Sequence, residues 1–242
     1  MKRYNVIGVN VNAFKLDEAV SYLFNNFNKS RNSYICCANA HTVVHAYENN
    51  NYKEILNNSF ITLPDGAPIV DAGKKIGINV EKISGVDFLE EVLNKSKKQN
   101  NFFYGNTKEN IEVFISNIRQ RNKNINICGY EESKFRELTI DEKQVLKDKI
   151  IKTKADIVWV ALGAPKQEEF CAEMCKNTNA CWVAVGGAFN VIAGIIPRAP
   201  KWMQDHSLEW FYRFIKEPKR LFKRYFIGNV KYIWYKATYN GK

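Results

Sequence analysis

Apolar positions along this chain alternate between two periods. Short apolar runs at 6–11, 34–38, 60–63, 102–104, 125–128, 156–162 and 181–185 predict strands. Between them, apolar residues recur at three- and four-residue spacing over 16–27, 43–48, 86–97, 111–121, 140–152 and 166–175, and another helix is expected from 66 to about 76. In the first helix the stripe is Leu16, Ala19, Val20, Leu23 and Phe27. Tyr34-Ile35-Cys36-Cys37-Ala38 is apolar throughout, as in strands buried on both faces. Short apolar runs alternating with amphipathic helices predict an α/β fold with a largely parallel sheet flanked by helices.

The pattern changes near Pro197. Residues 207–216 place Leu208, Phe211, Tyr212 and Ile215 on one helical face, and Leu221, Phe222, Tyr225 and Phe226 continue the spacing after Glu217-Pro218. The chain carries a net charge of +11, and residues 198–242 hold 11 Lys and Arg against three acids. That leaves +3 for the first 197 residues. We therefore expect an α/β domain at 1–197 and a basic amphipathic helical appendage at 198–242. Cations beside an apolar face edged with Trp, Tyr and Phe suit a helix lying on an anionic membrane surface. The plainer alternative is that the apolar face packs on the parent domain while the cations are solvated, and one helix can do both. The aromatics are not interleaved as a base-stacking platform, so no nucleic-acid partner is expected. Away from lipid, the apolar face would suit burial in a homo-oligomer.

The six cysteines include no CxxC pair, and no Cys/His set has zinc-ligand spacing. With no signal-peptide pattern, they predict a reducing cytoplasm, free thiols and no metal centre. The uncharged run 177–197 is broken by Asn, Gly and Pro, and reads as a buried strand plus a glycine turn rather than a membrane span.

Parallel α/β folds bind ligands outside the carboxyl ends of their strands. Five predicted strand ends carry polar or glycine-rich tails: Asn39-Ala40-His41-Thr42, Pro64-Asp65-Gly66, Gly105-Asn106-Thr107, Gly163-Ala164-Pro165-Lys166-Gln167 and Gly186-Gly187. Glycines there let backbone N–H groups approach a phosphate. No GxGxxG, Walker A or Asp-x-Asp motif occurs, so phosphate would be held by backbone and basic side chains, with no cofactor. Asp65 is the candidate general base, with helix capping as the competing role. Asn39 is a sugar contact or a turn residue. His41 and His45, at i, i+4, fit packing better than ligation. Gln167 either reads a uracil edge or is a polar first-turn residue.

Several motifs together resemble the WecG/TagA/CpsF glycosyltransferase family. They are Leu63-Pro64-Asp65-Gly66, Ser84-Gly85-x-Asp87, Gly163-x-Pro165-x-Gln167-Glu168, Gly186-Gly187-x-Phe189 and Ala193-Gly194, then Arg198-Ala199-Pro200-x-Trp202, Leu208-Glu209-Trp210-x-Tyr212-Arg213 and Glu217-Pro218-x-Arg220-Leu221. The resemblance covers nearly the whole chain. It implies a Rossmann-like fold and inverting transfer of an N-acetylmannosamine-type sugar from a UDP donor to an undecaprenyl-diphosphate-linked acceptor. The work would be done at the inner face of the bacterial membrane, in teichoic acid, capsule or exopolysaccharide synthesis. It further implies catalytic roles for Asp65, Cys37 and Asn39. Asn106, Gly163, Pro165, Gln167, Gly186, Gly187, Arg198, Arg213, Arg220 and Arg224 are the implied substrate contacts. The chain departs from the family pattern at Cys37, where many members have Thr, and at Asn190, where Asp is common. A protein that binds a nucleotide sugar without transferring it is the alternative.

Overall fold

A computed structural model describes residues 2–239 apart from 97, 206, 207, 217, 219–221 and 223–225, with the side chains of Asp205 and Arg213 also outside the described set. Its centre is a six-stranded sheet, every pairing of which is parallel. The strands are β3 (Ser33–Ala38), β4 (Ile61–Pro64), β5 (Asn101–Gly105), β6 (Ile127–Glu131), β7 (Ile157–Ala161) and β8 (Cys181–Ala184), in the order β4-β3-β8-β7-β5-β6.

Alternate side chains of each strand enter two separate cores. On one face, Ile35, Cys37, Phe103, Trp159 and Val183 pack with α1 (Leu16–Asn25), α6 (Gly85–Lys95), α7 (Lys108–Arg121) and the short α10 (Ala188–Ile192). On the other, Cys36, Tyr104, Val158, Val160 and Trp182 pack with α3 (Ala40–Glu48), α4 (Asn50–Asn58), α5 (Ala67–Lys75), α8 (Ile140–Lys152) and α9 (Lys166–Met174). A strand covered on both sides has no polar face, hence the unbroken apolar run at 34–38. The one-turn α2 (Phe27–Ser30) follows α1.

Several expectations are corrected. Residues 6–11 are not one strand. They span an antiparallel hairpin, β1 (Arg3–Val6) and β2 (Val9–Asn12), outside the main sheet. Its two-residue turn puts Ile7 and Gly8 at positive φ, 51° and 88°, as a tight hairpin turn requires. Burial of the Ile7 side chain offsets that unfavourable backbone for a β-branched residue. Helix α4 was not expected, because between its asparagines only Tyr52 and Leu56 are buried, too few to show a period. The strand expected at 125–128 lies at Ile127–Glu131; Ile125 packs into the core from the preceding loop.

Among the described residues, the tail includes α11 (Lys201–Asp205), α12 (Glu209–Lys216) and α13 (Gly228–Thr238). Leu221 and Tyr225 lie outside the described residues. Helix α13 docks on α3: Tyr235 stacks on Tyr47 at 4.2 Å, and Lys231 Nζ and Tyr235 Oη bind Glu48 Oε1 at 2.6 and 2.7 Å. Tyr232 is buried and donates to Pro68 O at 3.0 Å. Lys82 pairs with Glu209, and Arg198 pairs with Asp87 and Glu90, tying the start of the tail to the segment around α6. No helix among the described residues is long and apolar enough to cross a membrane.

Candidate active site

A cavity of about 810 Å³ opens at the carboxyl ends of β3, β4, β7 and β8, within the size range of small-ligand sites. Its floor is made by the turns at Asn39, Asp65, Gly163 and Gly186-Gly187, and residues of α12 and α13 form the opposite wall. Strand ends and tail thus meet around one space.

Asp65 is placed by its backbone. Its N–H donates to Ala38 O at 2.8 Å, across from the end of β3. Gly66 follows at φ 127°, ψ 150°, a conformation essentially reserved for glycine, and starts α5. Asp65 therefore stands on a fixed turn at the cavity. Its Oδ2 lies 3.5 Å from the amide Nδ2 of Asn39. Asn39 in turn caps α3, with Oδ1 accepting from Thr42 N at 3.2 Å and its own N–H donating to Thr42 Oγ1 at 2.8 Å. The cap fixes the amide with its nitrogen toward the carboxylate. Asn39 is thus neither a free turn residue nor in a left-handed conformation: its backbone is extended (φ −132°, ψ 175°), and its side chain caps α3 at the cavity wall.

Cys37 also lines the cavity, and its thiol donates to Ala184 O at 3.5 Å. Burial, reinforced by the charges of Asp65 and Glu168, holds its pKa well above that of an ordinary thiol. It remains a neutral weak donor and not a nucleophilic thiolate.

Gln167 reaches the wall but is only 4% exposed. Its Oε1 accepts from Gly163 N at 3.1 Å, and its Nε2 donates to Glu168 Oε1 at 2.8 Å. Glu168 is fully buried, and its Oε2 accepts from Tyr52 Oη at 3.1 Å. A buried relay of α4 and α9 side chains thus supports the Gly163 turn.

Three expected contacts do not line this cavity. Pro165 is the N-cap of α9, Asn106 hydrogen-bonds Asn190 of the cavity wall, and Arg198 lines a smaller pocket where Asp87 and Glu90 engage it. Arg220 and Arg224 lie outside the described residues, as does the side chain of Arg213. His41 lines the cavity, whereas His45 packs edge-on to Tyr52 at 4.7 Å.

Sequence reading passed over Lys75, Lys82 and Lys236, which line the cavity from α5, from the loop before α6 and from α13. Only Lys82 had a local signal, two residues before the capping Ser84. Lys236 could not have been placed without knowing where α13 docks.

Residues 4–241 match the family described as Glycosyl transferase WecG/TagA/CpsF. The chain belongs to the WecG/TagA/CpsF glycosyltransferase family. It is 32% identical over 222 residues to the N-acetylglucosaminyldiphosphoundecaprenol N-acetyl-beta-D-mannosaminyltransferase of Bacillus subtilis (strain 168), covering 90% of this chain and 84% of that one. It is 33% identical over 211 residues to the enzyme of the same name from Bacillus spizizenii strain W23, covering 85% and 80%. The fold carries this membership on a parallel α/β sheet, with the motif at 63–66 forming the Asp65 turn and that at 163–168 forming the relay.

Proposed function

We propose that this chain is an inverting glycosyltransferase. It moves an N-acetylmannosamine-type sugar from a UDP donor to a sugar hydroxyl on an undecaprenyl-diphosphate-linked acceptor, at the inner face of the membrane. The observation that carries this reading is Asp65, held on a fixed turn at the mouth of β4, facing a nucleotide-sugar-sized cavity that the basic, aromatic tail helps to wall.

The chemistry asked of the site is a single displacement. The Asp65 carboxylate takes the proton of the acceptor hydroxyl as its oxygen attacks the anomeric carbon. The bond to the UDP oxygen breaks on the opposite face, so configuration inverts. Asn39 orients the carboxylate. Glu168 is held by Tyr52 and Gln167, and Glu209 by Lys82. Backbone N–H groups at Gly186-Gly187, with Arg213, Arg220 and Arg224 of the tail, are proposed to offset charge on the departing diphosphate. The relatives' printed names motivate the choice of sugar and acceptor.

The test is UDP release by the full chain, with a short-chain undecaprenyl-diphospho-N-acetylglucosamine analogue as acceptor. UDP-N-acetylmannosamine, UDP-glucose and UDP-N-acetylglucosamine are run in parallel, with and without EDTA. Acceptor-dependent release from UDP-N-acetylmannosamine, with an inverted anomeric centre in the product, is expected. Release from none of them would refute this assignment of donor and acceptor. Retention of configuration would refute the single displacement.

A further inference from the structure

The cavity continues from Asp65 along α5. That helix starts after Gly66, beyond the edge strand β4, and Ala67, Pro68, Asp71 and Lys75 line the cavity from one of its faces. Asn229, Tyr232, Ile233, Lys236 and Ala237 of α13 line it at i, i+3, i+4, i+7 and i+8, again one helical face. The two helices are joined where Tyr232 Oη donates to Pro68 O at 3.0 Å. The glycine turns at Gly163 and Gly186-Gly187 follow β7 and β8, further into the sheet. The α5–α13 end is therefore a separate part of the cavity.

Its chemistry is that of an amphiphile's site. Ile233 and Ala237, one turn apart beside Lys236, are apolar and exposed. Three lysines line the cavity, and Lys82 is paired with Glu209. Lys75 and Lys236 are exposed and, among the described residues, in no ion pair; Lys236 Nζ lies 5.8 Å from the centre of the Tyr232 ring. Asp71, one turn before Lys75, is the acid on this wall and is outnumbered. Lys231 and Arg198 of the tail, by contrast, are engaged by Glu48 and by Asp87 and Glu90.

From unpaired cations beside an apolar wall we infer that the α5–α13 end of the cavity is the acceptor subsite and takes a polyprenyl diphosphate. Lys75 and Lys236 hold the diphosphate as compact point charges on long stems. Ile233 and Ala237 take the first isoprene units. Ala67 and Pro68, next to Asp65, face the acceptor sugar. From Gly66 to Lys75 the helix rises about 14 Å at 1.5 Å per residue, a span that one sugar ring and a diphosphate can bridge. The sugar hydroxyl then reaches Asp65 while the diphosphate stays at the lysines. This rests on the reading of the chain as a glycosyltransferase with a lipid-linked acceptor.

The full-length wild type, Lys75→Gln, Lys236→Gln and Ile233→Ala are titrated, without vesicles, with a ten-carbon prenyl diphosphate that carries no sugar, and separately with UDP. Lys74→Gln is the control. Lys74 shares the last turn of α5 and does not line the cavity. Each cavity lysine is expected to be worth about tenfold in prenyl diphosphate affinity, and Ile233→Ala several-fold. UDP affinity is expected to hold in all of them. In the transfer assay the KM for the lipid-linked acceptor rises, while kcat and the KM for the donor change little. A loosened fold would not produce that split.

Unchanged prenyl diphosphate affinity in both lysine variants would overturn the inference. An equal loss of UDP affinity would assign the lysines to the donor's diphosphate and overturn it too. So would a loss seen only in partition into phosphatidylglycerol vesicles, which would make them headgroup contacts. A wild type that transfers sugar but binds no prenyl diphosphate overturns the subsite and leaves the glycosyltransferase reading standing. A wild type that binds prenyl diphosphate through these residues but transfers no sugar supports the subsite and refutes that reading.

Discussion

Asn39 and Asp65 cap neighbouring strands, and the Asn39 amide nitrogen lies 3.5 Å from the Asp65 carboxylate. The amide is held by the α3 cap, so the carboxylate faces a donor whose direction it does not have to set. Asp65→Asn keeps the shape of the turn and removes the base. Turnover is expected to fall by about 100-fold or more, the usual contribution of a general base, with UDP affinity within a few-fold of wild type. Steady-state kinetics and calorimetric titration check both halves. Wild-type turnover in the variant would dismiss Asp65 as the base.

Gly66 is the second test of the same turn. Its φ of 127° and ψ of 150° are closed to an alanine, and the strain should cost about 1–3 kcal/mol. Gly66→Ala is expected to lower the urea midpoint and to lower kcat as well, because relief of the strain moves Asp65. A variant with reduced stability and unaltered kcat would show that the turn does not set the carboxylate's position.

Much of this was legible before the fold was known. The α/β class followed from alternating periods, because strands buried on two faces and helices buried on one leave different patterns. The place of Asp65 at a strand end on the cavity was legible because Pro and Gly bracket it at the end of an apolar run. The relay behind Gln167 was not. Tyr52 sits in a helix with two buried residues, and nothing in the sequence brings it to Glu168, 116 positions away. Arg198 was misplaced for a related reason. A cation in a motif suggests an anionic ligand, but Asp87 and Glu90, one turn apart on α6, engage it here.

The relay makes a stability prediction. Tyr52→Phe removes a donor from the fully buried Glu168 while filling nearly the same volume. The loss is expected to be about 1–3 kcal/mol, read as a lower urea midpoint at constant slope. A change within experimental error would mean that the hydroxyl contributes little to the relay.

Tyr232 ties α13 to the domain in a pH-dependent way. Burial, with the charge of Asp71 adding to it, pushes its phenol up to about 12 from the ordinary 10. The folded state therefore holds a proton that the unfolded or undocked state loses. The stabilisation is complete below pH 10, declines above it, and is gone once pH passes about 12. Hydrogen exchange of α13 amides, corrected for intrinsic rates, is expected to accelerate over that window in wild type and less steeply in Tyr232→Phe. Tyr4, also buried and raised, faces Tyr232 and is the control to vary next. Equal slopes in the two proteins would dismiss the Tyr232 phenol as the source.

The outer side of α13 gives the last prediction. Tyr232 and Tyr235 face the domain, while Phe226, two residues before α13, and Val230 and Trp234 within it, four residues apart, are 63%, 57% and 62% exposed. We propose that this stripe enters the interfacial region of an anionic membrane, with the tail's cations at the headgroups. Ile233 is left out of the test because it also lines the cavity. Phe226→Ala, Val230→Ala and Trp234→Ala combined remove many buried carbons at about 0.8 kcal/mol per methylene, so partition into phosphatidylglycerol vesicles should fall well over tenfold. UDP affinity in solution should hold, since none of the three lines the cavity. Raising salt should weaken binding of both proteins through the shared cationic contribution. Unchanged partition in the triple variant would mean that the stripe is not the membrane contact. Lost UDP affinity would mean that it supports the site instead.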